Sequence, residues 1–198
     1  MYIAIEGIDT CGKSTQIEIL KNKYPEFVFT KEPGGTNIGH TIRNIALNTH
    51  ELDVRCRMFL FLADRAEHVQ KIIIPNIGNV IISDRSAISG IAYSYDMGIP
   101  YETIVHMSKL AVYDIFPDAV IVPWITRDVL EYRLGVKELD AIEKCGVDRL
   151  LELQNQIPIA CDAVGVGMYK VDASLPIEMV AKEIEKIMCK LGVCDAHP

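Results

Sequence analysis

Positive charge is scarce in this sequence: 20 Lys and Arg stand against 27 Asp and Glu, a formal net charge of −7. That balance argues against general attraction to nucleic acid or to anionic membranes, so any bound phosphate must be held by a few placed cations. Long apolar runs are also missing, and none reaches the ~18–20 residues that a membrane span requires. Met1 leads directly into the first apolar run, which leaves no room for a signal peptide and sets the expectation of a cytoplasmic protein. The six cysteines (Cys11, Cys56, Cys145, Cys161, Cys189 and Cys194) contain no Cys-x-x-Cys, and no His sits at zinc-ligand spacing from a Cys pair. They are expected to be reduced thiols, with a Cys189–Cys194 disulfide as the lesser alternative. There is no internal repeat, low-complexity tract or linker in the 198 residues, so a single α/β domain is expected.

What is present begins at residue 2. The apolar run Tyr2-Ile3-Ala4-Ile5 reads as a buried strand, and Gly7-Ile8-Asp9-Thr10-Cys11-Gly12-Lys13-Ser14 follows it. This is G-x-x-x-x-G-K-S, a phosphate-binding loop: a glycine turn opens a helix whose backbone N–H groups converge on a polyphosphate. Residues 7–15, Thr15 included, form the expected ATP-binding segment. Lys13 adds a point charge near the β/γ-phosphates, and the Ser14 hydroxyl is suited to Mg²⁺. Further strands are expected at Phe27–Phe29, Val80–Ile82, Ala119–Val122 and Met168–Val171, alternating with helical patterns over 14–24, 38–47, 53–74, 88–95, 101–115, 127–134, 148–164 and 176–191. Such alternation implies a parallel sheet covered on both faces, with ligands outside the carboxyl ends of the strands.

Two more segments carry chemistry. Val80-Ile81-Ile82 runs into Ser83-Asp84-Arg85, which puts a carboxylate able to hold Mg²⁺ or its waters, and a guanidinium suited to phosphate oxygens, at a strand end. Phe61 and Arg65 are four apart on a helix and share a face, where a ring can stack on a planar base while the arginine donates to its edge. Taken alone, Phe61 reads first as core, as aromatic residues on helices usually are, and Phe59, Leu60 and Leu62 are expected to be core.

Together with Ile5-Glu6-Gly7-Ile8-Asp9, Glu32-Pro33-Gly34-Gly35-Thr36, Phe61-Leu62-Ala63-Asp64-Arg65 and Asp84-Arg85 followed by Ser89-Gly90-Ile91-Ala92-Tyr93, the sequence resembles the thymidylate kinases, the bacterial ones in particular. The resemblance runs from residue 1 to about 145 and more weakly to the end. It implies a five-stranded parallel sheet flanked by helices, ATP and Mg²⁺, transfer of the γ-phosphoryl to dTMP to give dTDP, and a homodimer. It assigns thymine stacking to Phe61, base-edge bonding to Arg65 and the dTMP phosphate to Arg85. Asp9 is assigned the sugar 3′-hydroxyl or the metal shell, and Tyr93, with Ser89, Gly90 and Pro33, the acceptor pocket. Arg43 is placed near the acceptor phosphate.

Three departures stand out. Ser86 replaces a ring that the family often carries, an absence expected to loosen the sugar pocket. Residues 122–128, Val-Pro-Trp-Ile-Thr-Arg-Asp, lack the family's Asp-x-x-Pro-Glu. In the expected lid, about 135–146, Ala141 stands in place of the usual arginine, which leaves Arg133, then Lys137 and Lys144, as the candidate cations opposite Lys13. Two other functions compete with this one. A kinase of another nucleoside monophosphate shares the loop. A GTP-dependent switch does too, but the nearest match to its guanine-reading motif, Thr30-Lys31-Glu32-Pro33, lacks the Asp and comes too early.

Overall fold

The computed structural model describes residues 1–95, 97–135 and 146–194. Five strands form, with aliphatic runs in the central three: β1 (Tyr2–Ile5), β2 (Val28–Lys31), β3 (Ile81–Asp84), β4 (Ala119–Trp124) and β5 (Gly167–Asp172). They make one sheet of order β2-β3-β1-β4-β5 in which every pairing is parallel. The register sets Ile5 of β1 beside Asp84 of β3 on one side and Ile121 of β4 on the other. All parallel strands deliver their carboxyl ends to the same edge of the sheet, and order reverses around central β1, where a crevice forms.

Among the described residues eight α-helices flank the sheet: α1 (Lys13–Lys23), α2 (Asn37–Asn48), α3 (Val54–His68), α4 (Ala87–Ala92), α5 (Tyr101–Ala111), α6 (Arg127–Gly135), α7 (Val147–Val164) and α8 (Ile177–Lys190). The two-residue period of the strands splits the core into two layers. Ile3, Ile5, Ile82, Ile121 and Val171 face α1 and α8, meeting Ile17, Leu20, Val180, Ile184 and Met188. Ala4, Val120 and Val122 face α4, α5 and α7, meeting Ile88, Ile104 and Ile157 among others. Helix starts follow capping chemistry: the Thr36, Asp53 and Ser86 side chains accept from Gly39, Arg55 and Cys56, and Ile88 backbone N–H groups respectively.

The long pattern over 53–74 is not one helix. After His68 the chain widens into a π turn, Val69–Ile73, and tightens into a 3₁₀ turn, Ile74–Asn76, that holds Pro75. The expectation that Phe59, Leu60 and Leu62 are core is corrected. Phe59 is 55% exposed on the outward side of α3, and Leu60 and Leu62 are half-buried outside the apolar clusters of the described residues. Met58 and His68 fill the inward side of α3 instead. Cys11, Cys56, Cys161, Cys189 and Cys194 are free, and the sulfurs of Cys189 and Cys194 lie 2.8 Å apart as thiols. No helix among the described residues is long and apolar enough to cross a membrane.

Candidate active site

The loop after β1 folds around its own lysine. Gly7, Thr10 and Gly12 take φ of 143°, 71° and 98°, values that allow the tight turn into α1. At Gly7 a side chain would also collide with Cys11, since a Cβ there would lie 2.8 Å from its sulfur. Lys13 is buried and donates from Nζ to the Gly7 and Ile8 carbonyls at 2.9 and 2.8 Å. Burial, and then the nearby Arg85 charge, lowers its pKa below the usual lysine range. Ser14 and Thr15 open the helix with exposed side chains. Arg133 on α6 reaches back to the same loop, donating to the Thr10 carbonyl at 3.1 Å and to the Ala173 carbonyl, beyond β5, at 2.6 Å.

Across the crevice, Arg85 has a left-handed backbone, φ 68°. For a non-glycine residue this is strained, and such strain persists only where surroundings over-determine it. Here the Ser83 hydroxyl donates to the Arg85 carbonyl at 2.6 Å, and the Arg85 N–H donates to the Ile5 carbonyl at 3.0 Å. The guanidinium is committed as well: Nη2 bonds Asp9 at 2.7 Å, and Nη1 reaches Gly7 O, Ser89 Oγ and Tyr93 Oη at 3.0–3.1 Å. Burial works against its charge, but the facing Tyr93, Asp9 and Glu6 outweigh it and raise its pKa. Burial also pushes the Tyr93 phenol up to about 12.

Beneath this group lies Glu6, fully buried. It accepts from the Ser86 N–H and hydroxyl at 2.7 and 2.8 Å, and from the Ser89 N–H and hydroxyl at 3.2 and 2.5 Å. Burial raises its pKa. Glu6 is the hub joining β1 to the start of α4, and sequence reasoning gave it no role. Ser86 is spent inside the protein: it is fully buried, bonds Glu6 and caps α4.

The third part is the turn after β2, where Glu32-Pro33 is a cis peptide bond. Arg43 of α2 donates to the Pro33 carbonyl at 2.9 Å, and its stem lies against Gly34. Asp64 of α3 accepts from the Gly34 N–H at 3.0 Å, and burial raises its pKa. Arg65 lies 3.2 Å from the buried Glu32, and its guanidinium covers Gly90 so closely that a Cβ there would come within 2.6–2.7 Å of it. Phe61 is half-buried and joins none of the apolar clusters of the described residues, which leaves its ring for another partner. Asp84 has a buried oxygen, Oδ1, with no hydrogen-bond partner, and it lines a 480 Å³ cleft together with Ser14, Lys31 and Gly34.

The structure therefore gathers Gly7, Asp9, Lys13, Arg85, Ser89, Tyr93 and Arg133 by direct contacts between neighbours, and Pro33, Arg43, Arg65 and Gly90 through the turn and α3. The lid positions Lys137, Ala141 and Lys144 lie outside the described residues. His68, which bonds both Thr30 and Glu32, was not anticipated; the only signal was its nearness to the Asp-Arg segment.

Comparison with known proteins agrees along nearly the whole chain. The thymidylate kinase family model matches residues 5–184. A thymidylate kinase of Aliarcobacter butzleri is 43% identical over 188 residues, 95% of this chain and 98% of that protein. One from Helicobacter acinonychis is 48% identical over 158 residues, 79% of each. The crystal structure of thymidylate kinase from Ehrlichia chaffeensis superposes with a TM-score of 0.73 at 27% identity, covering 96% of this chain and 98% of that one. This chain belongs to the thymidylate kinase family, and it is a phosphotransferase with the P-loop fold of that family.

Proposed function

We propose that this enzyme transfers the γ-phosphoryl group of ATP to the 5′-phosphate of dTMP, giving dTDP for dTTP synthesis. The observation that carries the reading is the pairing across one crevice of a loop lysine with a strand-end arginine whose backbone is held in a strained, over-determined conformation. Phosphoryl transfer needs positioning and charge neutralisation, with no protein nucleophile. Residues 7–15 would cradle the ATP phosphates through backbone N–H groups, with Lys13 turning from its own carbonyls to the β/γ oxygens. Arg85, fixed by Asp9, Ser89 and Tyr93, would present its guanidinium to the acceptor phosphate. Arg43 at Pro33 would add a second positive charge there. Phe61 would stack on thymine while Arg65 addresses its edge over Gly90. Arg133 would bring positive charge to the donor loop, the task for which the lid lacks an arginine at Ala141.

The residues present fit a Mg²⁺ ion: Ser14 and Asp84 line one cleft beside the loop, and one Asp84 carboxylate oxygen has no hydrogen-bond partner. When bound there, partly through water, the ion would neutralise phosphate charge. We read the chain as one kinase domain over 1–198 with a lid at about 135–146, acting in the cytoplasm on small molecules and not on nucleic acid or membranes. It would act as a homodimer. In support, Ile38, Ile42 and Ile45 recur along one side of α2, with Ile38 58% and Ile45 45% exposed, beside exposed Phe59 of the neighbouring α3. The test is initial-rate dTDP formation with Mg²⁺ and ATP. dTMP should be the best acceptor, dUMP poorer by about 1–3 kcal/mol for the missing methyl, and dCMP and dGMP near background. Comparable rates on purine monophosphates would sink the thymine reading.

A further inference from the structure

His68 sits at a junction that phosphate chemistry does not explain. It is fully buried, and it is the last α-helical residue before the chain widens into the π turn Val69–Ile73. Such turns inside helices are rare and often accompany functional sites. The ring joins three elements. Its Nδ1 lies 2.7 Å from Glu32 Oε1, and its Nε2 lies 2.6 Å from Thr30 Oγ1 on β2. Its edge fills the space that a side chain at Gly35 would need, since a Cβ there would fall 2.6 Å from Cδ2. With the Glu32 carboxylate as acceptor, Nδ1 donates and Nε2 accepts from the Thr30 hydroxyl. One end of Glu32 is thereby fixed.

The other end of Glu32 faces Arg65. Its Oε2 lies 3.2 Å from Arg65 Nε, both groups are buried, and the pair has ion-pair distance without hydrogen-bond geometry. Arg65 is therefore held through its inner nitrogen, with its planar end laid over Gly90. The i, i+3 spacing of Arg65 and His68 brings both to the same carboxylate from one helix face. A carboxylate gripped on one side by His68 can hold the guanidinium at one angle; released, it can follow the arginine through several.

We propose that His68 is a positioning residue for nucleobase recognition: through Glu32 it fixes the plane in which Arg65 meets the base edge. This rests on the reading of Arg65 as the base-edge donor. Thr30 holds the other ring nitrogen in turn and belongs to the same relay. None of the hydrogen bonds and ion pairs of His68, Thr30, Glu32 and Arg65 given above reaches residues 7–15, so the effect should fall mainly on the acceptor.

The experiment is a double-mutant cycle read as KM for dTMP and for ATP, with melting curves on each protein. His68→Leu should raise KM for dTMP by about tenfold, the scale of one lost buried polar contact, while KM for ATP and kcat change by less than about twofold. His68→Asn, whose amide can occupy the Nδ1 position and donate to Glu32, should recover most of that loss. Thr30→Val, a smaller change in volume, should give a partial rise in KM for dTMP and serves if His68→Leu does not fold. In an Arg65→Gln background, His68→Leu should add nothing further. If Arg65→Gln itself leaves KM for dTMP unchanged, the base-edge reading is wrong and the proposal falls with it. If Arg65→Gln raises KM but His68→Leu and Thr30→Val do not, or if His68 and Arg65 effects multiply independently, the base-edge reading stands and positioning by His68 is refuted. Equal losses on dTMP and ATP, with no rescue by Asn, would mark His68 as a structural residue only.

Discussion

The two halves of the crevice are built on opposite plans. On the proposed acceptor side the placed cations are held largely by side chains: Arg85 by Asp9, Ser89 and Tyr93 as well as by the Gly7 carbonyl, and Arg65 by its ion pair with Glu32, while Arg43 rests on the Pro33 carbonyl. On the donor side the cations rest on backbone carbonyls of, or next to, the loop that they would serve. Lys13 sits on Gly7 and Ile8, Arg133 on Thr10 and Ala173. Carboxylate and phenol partners can remain while a phosphate binds the outer face of a guanidinium. Lys13 and Arg133 rest mainly on backbone carbonyls, so a phosphate oxygen would have to replace those partners. On the proposed roles, Arg85 would meet its phosphate largely preorganised by side chains, whereas Lys13 would exchange partners when ATP enters.

Breaking each half should give different kinetic signatures, and the largest effects come from the two central cations. Lys13→Ala should lower kcat by about 100–1,000-fold or more through lost transition-state charge. Its melting temperature should change little, since the removed ammonium carries the cost of burial seen in its lowered pKa. Arg85→Lys should lose activity on a similar scale, because an ammonium cannot reproduce a planar fork that reaches Asp9, Ser89 and Tyr93 at once. Near-parental kcat and KM for dTMP in Arg85→Lys would remove it from the acceptor site.

Next in size is Arg133. If its charge moves from the Thr10 carbonyl to the transferring group, Arg133→Ala lowers kcat about 100-fold while KM for dTMP holds, since the contact is made mainly in the transition state. Parental kcat would make Arg133 a strut between α6 and the loop. The smallest effect sharpens the acceptor half. Phe61→Leu keeps apolar volume but loses the flat ring, so dTMP binding should weaken by about 1–3 kcal/mol. Its melting temperature should stay close to that of the parent, because Phe61 lies outside the apolar clusters of the described residues. A drop in melting temperature with unchanged dTMP affinity would reverse that assignment.

How much of this was legible in the sequence differs between backbone and site. The central strands were readable because β1, β3 and β4 carry short apolar runs, while the edge strands β2 and β5 give a weaker signal, and the phosphate loop was readable because glycine spacing and a lysine-serine pair dictate one geometry. The change to a π turn after His68 was not readable, because apolar spacing over 53–74 fits a continuous helix and does not register that Pro75 removes a backbone donor at its end. Partners of the buried acids were hidden for a related reason. Glu6 meets Ser86 and Ser89 from 80 and 83 residues away, a contact made by pairing of β1 with β3 and by no local pattern. The absent ring at Ser86 looked like a loss for the sugar pocket, yet the hydroxyl caps a helix and satisfies Glu6.

Calorimetric titration of dTMP into the ATP-free protein tests the difference between the two halves most directly. If the acceptor half is built in advance, dTMP binds one site per chain without any donor nucleotide, and Arg85→Lys or Phe61→Leu weakens that binding in the absence of ATP. Saturable dTMP binding that develops only after an ATP analogue and Mg²⁺ are added would contradict the account, since the acceptor half would then be assembled by the donor.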